Sequence, residues 1–442
     1  MFVSVIIPVY NASHFLRKCL TNLNASTTTA FECIVVDDGS TDDTAAVAKQ
    51  LGATVIHAEK RGGPARARNL GAKSARGEIL FFIDSDVCVY PNTVERVIAN
   101  FTEDLALDAV IGSYDTSPES QDFISQYKNL MHCFVHQHGN RTACTFWSGC
   151  GAIRRDLFLS YAGFDESYDR PAIEDIELGY RLARDKRKML LDAGLLVKHL
   201  KVWSFTSLIK TDIFDRGVPW TELILRDKRM PNDLNLQLSQ RVSVALVLVL
   251  VLFAAVAAIY VGQSFLLPLF ALLFIALLAY EAEAVSLGGS PRAMAGLGTL
   301  IAIIGILAYR NGHFGIFPPL LLAFVLLFLR HRYAYVGERR RRMTGIFCGI
   351  YLLFLIMFVM TYLPYNPLVF GFFLVLSVLI LLNTQFYVFL AGKGRLFALA
   401  AIPFHLLFHF YNGLSFVIGL TRHTIRKWSA PKKTVPARDQ LS

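Results

Sequence analysis

The distribution of apolar residues constrains this chain more than any other feature of its sequence. Residues 241–420 form long apolar runs separated by short polar loops, whereas residues 1–230 carry a charged side chain every few positions. A run of about 20 apolar residues is the length of a membrane-spanning helix. The simplest organisation for such a chain is a water-soluble N-terminal domain followed by a membrane domain, and the overall hydrophobic content of 54% agrees with it.

The apolar part of the chain offers about six candidate spans. They lie at residues 241–261, 264–284, 294–309, 314–329, 343–363 and 367–390. The third and fourth are short for one crossing each, so residues 294–329 either span twice or form a re-entrant hairpin. Residues 396–420 contain a proline and two histidines and have basic flanks. That pattern predicts an interfacial or re-entrant element rather than a further span.

The net charge of +10 is concentrated beside these apolar runs. Four arginines occupy residues 339–342, and more basic residues follow residue 421. Basic loops next to spans mark the cytoplasmic side, so the charge favours contact with lipid and not nucleic-acid binding. The seven cysteines form no CxxC pair, and no secretory signal segment is visible, which also favours a cytoplasmic N-terminal domain. We expect an integral protein of a prokaryotic cell membrane, with the N-terminal domain, the basic loop 331–342 and the C-terminal tail in the cytoplasm.

Strand and helix patterns alternate through the first part of the chain. Strands are predicted at residues 3–9, 31–36, 53–57 and 78–83, and helices at residues 12–23, 41–51 and 65–75. This alternation predicts an α/β domain with a parallel sheet covered by helices on both faces. Ligands of such sheets bind at the carboxyl ends of the strands. Tyr10, Asp38, Asp84 and Asp86 all follow predicted strands.

Acidic residues follow two of these strands. Asp84-Ser85-Asp86 ends the fourth strand, and two carboxylates at this spacing can share one divalent cation. A nucleotide diphosphate would supply the other ligands, and the cation would neutralise charge on the leaving diphosphate. Asp38 follows the second strand, where its carboxylate either accepts a hydrogen bond from a base or ribose or caps the next helix.

A basic, glycine-rich segment lies between these acidic motifs, at residues 61–69. Its glycines, including Gly63, allow a phosphate to approach the backbone closely, and Arg66 and Arg68 bring positive charge to the start of a helix. The segment is either part of a phosphate site or an ordinary basic helix start on the surface.

The order of these motifs resembles that of the family 2 glycosyltransferases with the GT-A fold. The matching segments are residues 8–11, 37–40, 63–69 and 84–86, and the resemblance covers about the first half of the chain. It implies an α/β GT-A head with a parallel-rich sheet that binds a nucleotide-diphospho-sugar and Mg²⁺ or Mn²⁺. Together with the apolar pattern, it divides the chain into a head at residues 1–202, interface helices at 203–240, about six spans at 241–390, and an interfacial segment with a basic tail at 391–442.

The resemblance implies a role for each matching residue. Pro8, Tyr10 and Asp38 would line the nucleobase, and Asp84 and Asp86 would bind the metal and the diphosphate, with Asp86 the more direct ligand. The residues placed at the donor are Pro8, Tyr10, Asp38, Gly63, Arg66, Arg68, Asp84, Ser85, Asp86 and Gly149.

Three further positions complete the implied site. Gly149, in the small-residue segment 146–152, would lie under the donor sugar, unless this segment is only a tight turn. Asp175 would be the catalytic base, with Glu174 as the alternative, although acidic residues are also common at a helix start. His199 is placed as a third metal ligand, beside Asp84 and Asp86, or is a hydrogen-bonded core histidine.

These features predict an inverting, metal-dependent glycosyltransferase of EC class 2.4. It would move one sugar to a lipid or lipid-linked acceptor at the membrane. A processive polysaccharide synthase is the alternative within enzymes, but the Gln-x-x-Arg-Trp motif of such synthases is replaced here by residues 199–203. The alternative from another class is an inactive glycosyltransferase-like head on a transporter or scaffold.

Overall fold

A computed structural model of the protein describes residues 1–260 and 367–429. The chain divides into two compact units, one of Met1–Leu238 with Tyr411–Ser442 and the other of Ser239–Phe410. Four predicted spans, at residues 264–284, 294–309, 314–329 and 343–363, lie outside the described residues, as does the basic loop at residues 331–342.

The first unit consists mainly of an α/β domain. Its strands are β1 Val3–Val9, β2 Phe31–Asp37, β3 Thr54–His57, β4 Ile79–Ile83, β5 Val87–Val89, β6 Ala109–Tyr114, β7 Cys150–Arg154 and β8 Met189–His199. Its helices are α1 Ser13–Asn24, α2 Thr44–Gln50, α3 Gly63–Ser74, α4 Thr93–Glu103, α5 Phe123–Gln137, α6 Arg155–Ser160, α7 Glu174–Arg184, α8 Phe205–Lys210 and α9 Val218–Asp227. A π-helical turn, Thr211–Gly217, joins α8 to α9, and the 3₁₀ turn Leu234–Leu236 follows α9.

The eight strands form one sheet in the order β3-β2-β1-β4-β7-β6-β8-β5. The predicted α/β head is therefore confirmed, but the prediction of a parallel sheet holds only for β1 to β4 and for the pair of β6 with β8. β7 runs antiparallel to both of its neighbours, and β5 runs antiparallel to β8, so the whole sheet is mixed. Parallel neighbours need a long crossover connection, and for β6 and β8 that connection includes α5, α6 and α7.

The central strand β1 shows how this sequence forms the site edge. All seven of its residues are buried, as expected for a parallel strand covered on both faces. Pro8 lacks a backbone N–H to donate to a neighbouring strand. The pairing of β1 with β4 ends at Ile6, so Pro8 lies where β1 pairs only with β2. The carboxyl ends of β1, β2 and β4 consequently lie side by side, with Tyr10, Asp38 and Asp84 just beyond them.

An aromatic cluster packs around β4, next to the carboxyl end of that strand. The ring of Phe82, in β4, lies 5.2 Å from the rings of both Phe158 and Phe164, and 6.3 Å from that of Phe146. Phe146 also lies under α7, where a Cβ at Gly179 would come within 2.1 Å of the Phe146 backbone nitrogen. This close approach brings the start of α7 against the segment that follows Phe146.

The described helices after the first 237 residues are α10 Leu238–Tyr260, α11 Pro367–Leu382, α12 Thr384–Ala391 and α13 Arg395–Ser429. Among the described residues, α10 and α13 are long and apolar enough to cross a membrane, and α11 with α12 would make a third such element if the bent pair is one broken span. The interfacial placement of residues 396–420 stays a prediction.

The predicted span at residues 367–390 is not one straight helix. α11 and α12 meet at an angle of 64°, with Asn383 at the break. The Asn383 side chain donates hydrogen bonds to Ser243 Oγ and to the Leu379 carbonyl, both at 2.9 Å. A polar side chain buried in apolar surroundings needs such partners, and here they lie beside the break.

Candidate active site

The Asp38 carboxylate, just after β2, holds the glycine-rich segment against the sheet edge. Its two oxygens accept hydrogen bonds from the backbone N–H groups of Gly62 and Gly63, at 2.9 and 2.8 Å. Gly63 has a φ of +83°, and a Cβ there would lie 2.4 Å from the carbonyl oxygen of Asp169. Both the backbone conformation and the close contact therefore require glycine.

Replacing Gly63 by Ala is expected to destabilise the head by about 1–3 kcal/mol, because it adds a backbone clash to left-handed strain. The measurement is the thermal or denaturant midpoint of the full-length protein in detergent. Gly52→Ala is the matched control, since Gly52 has a φ of +82° but a Cβ there would meet no atom of the described residues within 4 Å. Equal losses for the two variants would mean that the Asp169 contact does not matter.

Tyr10 lies at the exposed mouth of this edge. Its side chain is 38% exposed, and the Arg61 guanidinium lies 3.9 Å from the centre of its ring. Such a cation–π contact attracts the Arg61 guanidinium to the face of the Tyr10 ring. The side chain of Arg66 runs back along the backbone, since a Cβ at Gly62 would lie 2.4 Å from its Cδ. Pro8 is buried behind Tyr10, and Arg61 is a residue at this mouth that the sequence analysis did not single out.

Arg68 lies beneath the site and joins two acidic residues. Its guanidinium donates to Glu174 Oε1 at 2.7 Å and to Asp84 Oδ1 at 2.6 Å, and both Arg68 and Glu174 are buried. Burial opposes the charge, but the carboxylates of Asp84, Glu174 and Asp175 outweigh it and raise the pKa of Arg68 above its ordinary value. Glu174 Oε2 also accepts from the Ala172 backbone N–H at 3.0 Å. Arg68 therefore pairs with protein carboxylates, and Glu174, the alternative base, has both oxygens engaged.

Asp86 faces His199 across the turn between β4 and β5. Asp86 Oδ2 lies 3.6 Å from His199 Nε2, and His199 Nδ1 lies 2.6 Å from Asn129 Oδ1. The imidazole stacks on the Tyr114 ring, with the ring centres 4.3 Å apart. Asp86 and His199 thus form a facing carboxylate–imidazole pair that Asn129 and Tyr114 hold in position.

The predicted metal ligands are only partly brought together. Asp84 turns to Arg68, Ser85 lies half-buried in the same turn, and Asp86 faces His199. In the part of the chain that the structure describes, no group of three or more His, Cys, Asp or Glu side chains is arranged to hold a metal ion. When His199 Nδ1 donates to Asn129, the lone pair of Nε2 points at the Asp86 carboxylate, and a cation between these two acceptors would satisfy both. Two ligand atoms that leave the other coordination positions of an ion open suit an ion that takes its remaining ligands from a substrate.

Asp175 lies at the start of α7, where Ser148 donates to it twice. Asp175 Oδ2 accepts from the Ser148 backbone N–H at 2.9 Å and from its hydroxyl at 3.0 Å. Removal from water and the charge of Glu174 raise the pKa of Asp175 to about 6, although the hydrogen bonds from Ser148 oppose the shift. A carboxylate that changes charge near neutral pH is suited to accept a proton.

A chain of ring contacts connects Asp175 to the Asp86–His199 pair. Trp147, next to Ser148, packs edge-on against Tyr114 with ring centres 4.8 Å apart, and Tyr114 stacks on His199. A Cβ at Gly149 would lie 2.8 Å from the Trp147 ring, so glycine is needed there for the indole to pack. Ser148 and Tyr114 belong to none of the sequence motifs above, and the signal in the sequence for Ser148 is its place beside Gly149.

Comparisons with known proteins agree with these motifs. Residues 4–161 match the family model described as Glycosyl transferase family 2. The chain is 36% identical over 123 residues to "Glycosyltransferase GlyG" of Streptococcus pneumoniae, a match covering 27% of this chain and 40% of the relative. It is 38% identical over 106 residues to "Uncharacterized glycosyltransferase YibD" of Escherichia coli, covering 23% of this chain and 31% of the relative. The chain therefore spans less than half the length of each of these relatives.

Two solved structures are similar at lower identity. "Mannosyltransferase PcManGT from Pyrobaculum calidifontis in complex with GDP-Man and Mn2+" is 18% identical with a TM-score of 0.42, covering 76% of this chain and 88% of that one. "S. aureus TarS 1-349 in complex with UDP-GlcNAc" is 22% identical with a TM-score of 0.39, covering 51% and 66%. Over residues 4–161, the part of the α/β head that carries Asp38, Asp84 and Asp86, this chain is similar to glycosyl transferase family 2.

Proposed function

We propose that this chain is an inverting, metal-dependent glycosyltransferase that moves one sugar from a nucleotide-diphospho-sugar to a lipid or lipid-linked acceptor. The observation that carries the proposal is the position of Asp175. Its carboxyl group has a pKa raised to about 6 and is oriented by Ser148, a residue linked through Trp147 and Tyr114 to the Asp86–His199 pair. A proton acceptor and a cation-binding pair on one surface are the two groups that such a transfer needs.

In the proposed reaction, Asp175 accepts the proton of the acceptor hydroxyl. The acceptor oxygen then bonds to the anomeric carbon of the donor sugar while the bond from that carbon to the diphosphate oxygen breaks on the opposite face. The transition state has oxocarbenium character. Because the pKa of Asp175 is about 6, this side chain is mostly ionised at neutral pH and still basic enough to take the proton.

Asp86 and His199 would hold the divalent ion, and Asn129 would fix the imidazole tautomer that leaves Nε2 free to bind it. When bound, the ion neutralises charge on the departing diphosphate. Asp84 stays paired with Arg68, which orients this turn from below. Tyr10, Asp38 and Gly63 form the part of the edge where we place the nucleoside of the donor.

Asp86→Asn is expected to weaken Mn²⁺ binding by at least about 10–100-fold. That loss is typical of replacing a residue that only hydrogen-bonds to a metal ligand, and Asp86 would be a ligand itself. Turnover should fall in parallel while the fold is kept. Mn²⁺ affinity is measured by titration calorimetry in the presence of a nucleoside diphosphate. Asp156→Asn, at a fully exposed carboxylate, is the control. Wild-type turnover of Asp86→Asn in buffer treated with a chelator would rule out the metal role.

The general test is a panel of nucleotide-sugars with two acceptors, a long-chain lipid alcohol and the corresponding lipid phosphate. Release of nucleoside diphosphate identifies the donor, and the anomeric configuration of the product decides between inversion and retention. Product mass separates the transfer of one sugar from polymerisation. No diphosphate release with any donor, or a retained configuration, would contradict the proposal.

We also infer that the head faces the cytoplasm. Basic loops beside spans favour that side, and here the basic loop is at residues 331–342. A cysteine introduced at residues 339–342 should resist a membrane-impermeant thiol reagent in intact cells and react after permeabilisation. Reaction in intact cells would reverse the proposed orientation. A cysteine placed in the loop between the first two predicted spans is the matched position that should react from outside.

A further inference from the structure

A buried ion pair holds the π-helical turn Thr211–Gly217. Lys128 Nζ, on α5, lies 2.7 Å from both carboxylate oxygens of Asp212, and the Tyr411 hydroxyl donates to Asp212 Oδ2 at 2.6 Å. Lys128, Asp212 and Tyr411 are all buried, and Tyr411 belongs to the part of α13 in the same compact unit. The Lys128–Asp212 pair is neutral as a whole and is satisfied on both sides, so it serves to fix the turn.

The same turn places Arg216 beside the proposed metal pair. Arg216 NH1 lies 3.1 Å from His132 Nε2, and the His132 ring lies 6.0 Å from the Tyr114 ring that stacks on His199. Asn129, which holds His199, lies one helical turn before His132 on α5. A single face of α5 therefore positions both His199 and Arg216.

A second basic side chain approaches from the end of β8. Lys201 lies two residues beyond His199, is half-buried, and has its Nζ 4.2 Å from the centre of the Trp203 ring. The Leu200 backbone N–H, one residue before Lys201, donates to the Asp86 carbonyl oxygen at 2.8 Å, and the charges of Asp86 and Arg216 both act on Lys201. Lys201 and Arg216 thus approach the surface around Asp86 from two different elements.

These two cations differ from most other buried and half-buried basic residues of the head. Arg68, Lys128 and Arg181 each contact a carboxylate at 2.6–2.9 Å. Within residues 1–260 and 367–429, neither Lys201 nor Arg216 lies at ion-pair distance from a carboxylate. Partly removing a cation from water without a counter-charge is costly, so an arrangement of this kind is typical of a site whose anion arrives with a ligand.

We propose that Arg216 and Lys201 form a phosphate-binding site beside the Asp86–His199 pair. The guanidinium supplies a planar pair of donors for phosphate oxygens and the ammonium supplies a point charge. The phosphate is either that of a lipid phosphate acceptor or the diphosphate of the donor. This inference deepens the proposed function. The identity of the two phosphate sources rests on that function. It gives a binding role to Arg216, in the segment 203–240 that the sequence predicts as interface helices.

The test measures binding to the full chain in detergent, with three probes: dodecyl phosphate, dodecanol, and pyrophosphate with Mn²⁺. Arg216→Gln and Lys201→Gln are each expected to weaken binding of one phosphate probe by about tenfold to a hundredfold, as for loss of a charged hydrogen bond. Dodecanol binding should not change. Lys210→Gln is the matched control, since Lys210 is exposed at the end of α8 on the same segment. Arg216→Lys keeps the charge and should give an intermediate loss, which also covers the case in which Arg216→Gln folds poorly.

The two sources give different results. Weaker binding of dodecyl phosphate places the acceptor phosphate at Arg216 and Lys201, whereas weaker binding of pyrophosphate places the donor diphosphate there. Unchanged affinity for both phosphate probes in folded Arg216→Gln and Lys201→Gln overturns the inference. Because these measurements do not depend on turnover, they remain decisive for the phosphate site even if no sugar donor is found and the proposed function fails.

Discussion

Replacing Asp175 by Asn is expected to lower kcat on a hydroxyl acceptor by about 10²–10⁴-fold, the usual contribution of a general base. An amide cannot accept the hydroxyl proton, while it keeps the size of the side chain and one acceptor oxygen for Ser148. The affinity for nucleotide should be retained, because Asp175 contacts Ser148 and the start of α7 and not the strand ends where we place the nucleoside. The measurement is kcat together with the dissociation constant of the nucleoside diphosphate.

The acceptor class decides how large this loss is. A lipid phosphate is already ionised near neutral pH and needs little help from a base, so Asp175→Asn should reduce its rate only slightly. Asp185→Asn, at the far end of the same helix, is the control and should leave both rates near wild type. A variant that loses nucleotide binding but keeps its rate at saturating donor would show that Asp175 binds the donor and is not the base.

The pH profile provides a second reading of the same residue. The ionised form of Asp175 is the active one, and its pKa is raised to about 6. On a hydroxyl acceptor, kcat/KM should therefore fall about tenfold per pH unit below that value and level off above it. Ser148→Ala removes a hydrogen bond that stabilises the ionised form, so it should move this limb to higher pH. An unchanged limb in Asp175→Asn would assign the titration to another group.

Replacing Arg68 by Met is expected to destabilise the head by about 3–5 kcal/mol, because it leaves the Glu174 carboxylate buried without its counter-charge. The side chains of Arg68 and Glu174 are each 5% exposed, whereas that of Asp84 is 36% exposed and can turn to water. The measurement is denaturant unfolding of the full chain in detergent, followed by a probe in the head.

Two further variants make this prediction specific. Arg68→Met combined with Glu174→Gln removes the uncompensated charge and should recover part of the lost stability, as expected for residues that interact directly. Arg96→Gln, at an ion pair whose arginine is 45% exposed, should cost within about 1 kcal/mol. If Arg68→Met costs no more than Arg96→Gln, the buried contacts of Arg68 do not support the fold as described.

The sequence alone determined the local parts of this head. The apolar runs of β1 and β4 and the helical spacing of α1 and α3 are set by residues close together in the chain, and each predicted element of the first 83 residues is present. The motif order also indicated the family, because ligands bind at the carboxyl ends of the strands and the glycines and acids of these motifs lie there. The break at Asn383 was missed, because an apolar run predicts a helix without indicating where one polar side chain will bend it.

The tertiary structure alone decided which of these residues act together. The motif predicts Arg68 near the nucleotide. Its partners in the structure, Asp84 and Glu174, lie 16 and 106 positions away, and Arg68 holds these two carboxylates together. Ser148 became part of the site because α7 packs closely enough to place Asp175 on its backbone N–H. The antiparallel strand β7, which no local pattern indicated, carries the segment before it to that position. Periodicity along the chain sets the elements, whereas side-chain contacts across the sheet depend on how those elements pack, and the chemistry of the site resides in those contacts.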